Sequence, residues 1–133
     1  MSQIIVLDSR IWFWWVNLEH GRLPASLLTE IGTASRIGVS PVSCFELALA
    51  FRRGRLELPL PPRAWFDFAL AGSGVEVFPL TPAISAHAVE LPDIHRDPFD
   101  RIIIATAIEM DARLASIDGR FAEYPELSTR LIA

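Results

Sequence analysis

The chain contains no lysine; all twelve of its basic residues are arginine. No lysine ammonium is available to steady a phosphate, while the planar arginine fork, well suited to that anion, remains. A single cysteine, Cys44, excludes an internal disulfide and fits a reducing, cytoplasmic setting. The three histidines stand apart at positions 20, 87 and 95, so a site built from His and Cys ligands is not expected. No apolar run approaches the ~18 residues of a membrane span. The opening MSQIIVLDSR lacks both the basic and the long apolar region of a signal peptide. Excess positive charge is missing too. A net charge of −4 excludes nucleic-acid binding driven by bulk charge, although a local basic strip stays compatible with it.

What is present is enough for a core. Of 133 residues, 51% are hydrophobic and 21% charged, which suits one globular domain over residues 1–133. Ile4 to Leu7 reads as a buried strand ending at Asp8. Asp8-Ser9 then starts a helix over Arg10 to Leu18, where Trp12, Phe13, Trp14 and Trp15 crowd together. Those rings cannot all point inward from one short helix, so part of the cluster is expected to face a partner. Pro24 to Ala34 is a second helix, Ile37 to Val39 a brief strand, and Ser40-Pro41 opens a helix to about Arg52. The proline-rich Leu56 to Pro62 connects to a helix over Arg63 to Ala71. Val75 to Leu80 is a strand, and Thr81-Pro82 caps a helix through Val89. After the irregular Leu91 to Arg96, Asp97-Pro98 begins a helix to Met110 that is apolar almost all round, as a core helix is. Arg113 to Ile117 is a strand ending at Asp118, and Leu131-Ile132 a last one.

This alternation predicts an α/β domain, with a mainly parallel sheet of four to five strands covered by helices on both faces. In such folds the site lies beyond the carboxyl ends of the strands. Asp8 and Asp118 follow strands at that edge; Glu46 and Asp100 sit in helices that begin there. Four converging carboxylates repel one another unless protonated or bridged by a cation. A hard divalent ion, Mg²⁺ or Mn²⁺, suits oxygen ligands, and such ions serve phosphodiester hydrolysis. Each acid also has a plainer use, and both uses stand at this point: Asp8 as a helix cap, Glu46 as an isolated helix acid, Asp100 as a first-turn partner of the helix dipole, Asp118 as a turn residue before Gly119.

The stretches VLDSRIWFWW, SPVSCFELA, HRDPFDRIIIATA and LASIDGRF occur in an order and spacing that resemble PIN-domain ribonucleases, above all the VapC toxins of bacterial toxin–antitoxin pairs. The resemblance covers nearly the whole chain. It implies a PIN-like three-layer α/β/α sandwich and places metal-binding acids at Asp8, Glu46, Asp100 and Asp118. Asp97, Ser9, Ser116 and Arg101 stand as possible supports. It further implies a Mg²⁺- or Mn²⁺-dependent endoribonuclease acting on structured RNA such as tRNA or ribosomal RNA, a VapB antitoxin as inhibitor, and a homodimer. The Ser9-Arg10 pair departs from many relatives. The aromatic helix with Leu27, Leu28 and Ile31 is a candidate groove for an antitoxin segment. Arg10, Arg52, Arg53, Arg55, Arg101 and Arg120 form a candidate phosphate track. Two other readings compete: a catalytically silent interaction module built on the aromatic helix, and a phosphatase using Asp8 as nucleophile. The second is weakened by the missing lysine and by the lack of another acid just after Asp8.

Overall fold

Ile4–Leu7 forms the central strand, β1. Its side chains alternate across the sheet, Ile5 and Leu7 entering one core and Val6 the other. The structure is a computed structural model that describes residues 3–132. After β1 come α1 (Ser9–Val16), α2 (Ala25–Thr33), β2 (Arg36–Val39), α3 (Pro41–Arg52), α4 (Pro62–Leu70), β3 (Val75–Val77), α5 (Pro82–Glu90), α6 (Pro98–Glu109), β4 (Arg113–Ala115) and β5 (Leu131–Ile132). Short 3₁₀ turns lie at His20–Arg22, Gly119–Glu123 and Pro125–Leu127. The strand order is β3-β2-β1-β4-β5, and every neighbouring pair is parallel.

The chain runs outward from β1 through β2 to β3, then returns to β4 on the other side of β1. The order therefore reverses between β1 and β4, and the crevice beyond their carboxyl ends is where an open parallel sheet offers a binding site. On one face, α1, α2 and α4 pack with Ile5, Leu7, Ile37 and Val39. On the other, Ile103, Ile104 and Ala107 of α6 pack with Val6, Leu114, Phe121 and Tyr124. Helix α5 lies outside α6, with Ile84 and Ala88 against Ala105. These are the layers of the α/β/α sandwich.

The helix starts follow their capping residues. Asp8 Oδ1 accepts from the Ile11 N–H at 2.9 Å, and Asp97 Oδ1 from the Phe99 N–H at 2.9 Å. Ser40 and Thr81 accept from Val42 and Ile84 at 3.3 and 3.2 Å. Proline follows each of Ser40, Thr81 and Asp97, at a position whose missing N–H costs nothing. Strand β3 is shorter than expected. Phe78 still donates to Val39 O at 2.8 Å, but Pro79 has no N–H to continue the ladder. On β2, a Cβ at Gly38 would come within 2.5 Å of the Phe78 ring and 2.7 Å of Glu76 O, so this approach of strands requires glycine.

Beside the aromatic helix, the expected groove of Leu27, Leu28 and Ile31 is corrected. Trp12 is wholly buried, edge-on to Trp65 of α4 at 5.2 Å, and Phe13 lies 6.0 Å from the same ring. Trp15 stacks on His20 at 5.0 Å. Leu27 and Ile31 belong to the core and do not line a groove. Trp12 and Phe13 find a partner in α4, remote in the chain, and Trp15 in the 3₁₀ turn just after α1, while Phe13, Trp14 and Trp15 remain half-buried.

Candidate active site

Beyond β1 and β4 lies a cleft of about 810 Å³. Asp8, Glu46, Asp97, Asp100 and Asp118 line it, with Ser9, Arg10, Phe13, Trp14, Arg55 and Arg120 among its other walls. All four acids expected from the sequence therefore reach one cavity, and Asp97 joins them.

Asp8 is the deepest. It is 8% exposed, and burial pushes its carboxyl up to about 6 against hydrogen bonds from Ser116 and the Ile11 N–H. Ser116 also accepts the Asp118 N–H at 3.0 Å, so one buried hydroxyl ties the acid after β1 to the acid after β4. Glu46, on α3, takes a hydrogen bond from the Ser9 hydroxyl at 2.8 Å, and Ser43 Oγ lies 2.9 Å from that hydroxyl. Burial, then the charges of Asp100 and Asp97, push the Glu46 carboxyl up to about 7. Asp100 is likewise raised, by burial first and by Asp97 next. Asp118 goes the other way. Arg120 clasps it from two directions, Nε to Oδ1 at 3.2 Å and Nη2 to Oδ2 at 2.9 Å, and holds it below the ordinary carboxylate range.

Oxygens of Glu46, Asp97 and Asp100 lie within 4.8 Å of one another. Asp97 thus serves as helix cap and as a wall of the cluster at once. A second group within the same distance is His95, Asp100 and Asp118. The histidines stand apart as expected, His20 against Trp15 and His87 against Glu109, but His95 meets the acids: its Nε2 lies 2.7 Å from Asp100 Oδ2. The irregular loop before α6 brings it there, and its place just ahead of the Asp97 cap was the available signal.

Arg101 is a second correction. It is not on the cleft wall, and the acid it meets is Asp93, at 4.0 Å, which does not line the cleft either. Its guanidinium donates to five backbone carbonyls, those of Ala88, Val89, Leu91, Pro92 and His95, at 2.7–3.2 Å. That places it outside any phosphate track. Arg10 sits 5.9 Å from the centre of the Trp14 ring, which Arg22 also approaches at 5.7 Å. Arg10, Arg55 and Arg120 are the arginines on the cleft walls.

The site is the switch point of a parallel α/β sheet, and it opens on a cluster of carboxylates. The chain belongs to the PIN domain family, whose model matches residues 5–127. It is 35% identical over 121 residues to ribonuclease VapC22 of Mycobacterium tuberculosis, covering 90% of this chain and 91% of that protein. Its fold matches a chain in the crystal structure of VapBC2 from Rickettsia felis bound to a DNA fragment from their promoter, with TM-score 0.69, 18% identity and 98% of each chain covered. It also matches VapC20 of M. tuberculosis, described as a sarcin–ricin-loop-cleaving toxin, with TM-score 0.60, 18% identity, and 92% and 97% of the two chains covered. At these identities the structural likenesses speak for the fold.

Proposed function

We propose that this protein is a Mg²⁺- or Mn²⁺-dependent endoribonuclease of the VapC kind. It hydrolyses phosphodiester bonds in structured RNA, tRNA or ribosomal RNA, and a VapB-like antitoxin inhibits it. The observation that carries the reading is the gathering of five carboxylates in one cleft at the sheet's switch point, three of them with raised affinity for protons. VapC22 supports the nuclease activity, and the VapBC2 complex supports the antitoxin. The family resemblance supports a homodimer, and the single cysteine Cys44 supports a cytoplasmic setting. Among the described residues no helix is long and apolar enough to cross a membrane.

The donor set fits a hard cation. The cluster is almost entirely carboxylate oxygen, crowded and desolvated, which is the environment that an oxygen-seeking divalent ion relieves. Asp8, Glu46, Asp97, Asp100 and Asp118 are the residues that would hold it. When bound, such an ion lowers the pKa of a water nucleophile and neutralises charge on the phosphate. The chain's own groups do the rest. Ser9 orients Glu46, and Ser116 orients Asp8 while fixing the backbone at Asp118. Arg10, Arg55 and Arg120 offer forks for the flanking phosphates of an RNA strand. Asp8 Oδ1 is engaged as the α1 cap, which does not favour a phosphoenzyme at that residue.

The test is cleavage of purified tRNA and ribosomal RNA with Mg²⁺, Mn²⁺ or EDTA, wild type beside Asp8→Asn and Asp100→Asn. Metal-dependent scission lost in both variants is expected. Scission retained by both would overturn the proposal.

A further inference from the structure

His95 is 6% exposed, yet it is not among the residues that line the cleft. It lies behind Asp100, with Nε2 at 2.7 Å from Oδ2. Two lone pairs cannot face each other at that distance, so a proton lies between ring and carboxylate. The other ring nitrogen, Nδ1, is approached by a donor, the Asp97 N–H, at 3.5 Å. A ring that accepts at Nδ1 carries its hydrogen on Nε2, directed towards Asp100. Apart from this contact, Nε2 has no hydrogen-bond partner among the described residues.

The backbone of His95 is held as firmly as its ring. Its N–H donates to the Tyr124 hydroxyl at 3.0 Å, and its carbonyl accepts from Arg101 Nη1 at 3.0 Å. Tyr124 is wholly buried, and the other four carbonyls on Arg101 belong to the segment 88–92 leading to His95. A loop fastened by a buried tyrosine and an arginine, and ending in a buried imidazole against one carboxylate oxygen, is a support for that carboxylate.

We propose that His95 is a positioning residue: it fixes Asp100 Oδ2 from behind and thereby turns the remaining carboxylate lone pairs into the cleft. It acts on metal binding through Asp100 and is not itself a ligand. The inference rests on the metal-dependent reading above and extends it to a residue outside the carboxylate set.

The experiment measures Mn²⁺ affinity of the full chain by electron paramagnetic resonance titration, with pulsed spectra of the bound ion. His95→Ala is expected to weaken Mn²⁺ binding by about 10–100-fold, the range usual for a lost partner of a metal ligand. His95→Gln, whose amide N–H can replace Nε2–H, is expected to recover affinity to within about threefold of wild type. Wild-type spectra should show no nitrogen coupling from a directly bound imidazole. Unchanged affinity in His95→Ala would overturn the proposal, and so would such a coupling. If His95→Ala does not fold, His95→Gln decides: near-wild-type affinity supports the role, and a loss beyond tenfold in a folded protein refutes it. Wild-type protein that binds no Mn²⁺ would sink this inference and the metal-dependent reading together. Normal Mn²⁺ binding that ignores residue 95 sinks only this one.

Discussion

The two sides of the acidic cleft solve the same electrostatic problem in opposite ways. On the deep side, Asp8 and Glu46 are held by neutral hydroxyls and backbone, and burial raises both carboxyls, to about 6 and about 7. On the outer side, Asp118 has its own cation in Arg120 and is lowered. Among the described residues the deep acids make no ion pair, Arg10 lowering Asp8 only weakly, while the outer one has Arg120. A divalent ion gains most where charge is least compensated, so the deep side is where metal, stability and activity should be tied together. The largest test of that asymmetry is catalytic. Removing a partner of a metal ligand commonly costs ~10–100-fold, so removing a ligand should cost more. Asp8→Asn and Asp100→Asn should each lose RNA cleavage by more than ~100-fold, whereas Asp118→Asn should lose roughly tenfold. Initial rates on one RNA at saturating Mn²⁺ check this, and equal losses at all three positions would erase the distinction.

Stability sharpens the same comparison. A carboxyl raised on folding stabilises the folded state below its unfolded pKa, and that contribution disappears as pH rises through the folded value. For Asp8 the interval runs from the ordinary 3.8 to about 6, which corresponds to about 3 kcal/mol for a group this buried. Glu46 extends the loss to about pH 7. In EDTA, Asp8→Asn should match wild type near pH 4 and exceed it by up to about 3 kcal/mol at pH 8, because the amide carries no charge to desolvate. Its Oδ1 still caps α1. Mn²⁺ should reverse the order by stabilising wild type alone. Urea unfolding at both pH values, with and without metal, measures this. A variant less stable than wild type at pH 8 in EDTA would mean the carboxylate is not strained there.

Much of this arrangement was legible from residue order. Asp8, Ser40, Thr81 and Asp97 announce helix starts by short polar side chains, three of them followed by proline, and all four are caps. The alternation of strands and helices placed Asp8 and Asp118 at one edge, because a parallel sheet admits few connections. What was hidden depended on packing between distant segments. The packing of Trp12 and Phe13 in α1 was hidden because Trp65, their mate, lies some fifty residues on. His95 sat in a stretch with no periodicity, so only its place just ahead of the Asp97 cap pointed to its approach to Asp100. Arg101 was misassigned by adjacency. Successive residues on a helix point ~100° apart, so the neighbour of a cleft-facing Asp100 turns away towards α5 and the loop that follows it.

That last point yields a test on the far side of α6. Arg101 fills its donors with carbonyls at the end of α5 and in the loop beyond it, and its side chain is only 12% exposed. Arg101→Lys keeps the charge but loses the planar fork, leaving several carbonyls unpaired. We expect a loss of about 2–3 kcal/mol in urea unfolding, the scale of one or two charged hydrogen bonds. A change under 0.5 kcal/mol, roughly that of an ordinary surface substitution, would show that water replaces the fork readily.

The smallest expected effect belongs to the other arginine of the comparison. Arg120 is more than half exposed, and its clasp on Asp118 competes with any cation for the same two oxygens. Arg120→Ala should leave unfolding unchanged within error, since exposed ion pairs add little. It should return the Asp118 carboxyl towards its ordinary range and strengthen Mn²⁺ binding by about two- to fivefold, because one competing positive charge is gone. The same residue faces the cleft, where an RNA phosphate would pass. Losing it should therefore reduce the salt dependence of RNA binding by about one unit of slope. The two signs differ: metal binds tighter and RNA binds weaker. A residue that merely stabilised the loop would push both in the same direction, so titrating Mn²⁺ without RNA and RNA without Mn²⁺ separates an arginine that guards the outer acid from one that only decorates it.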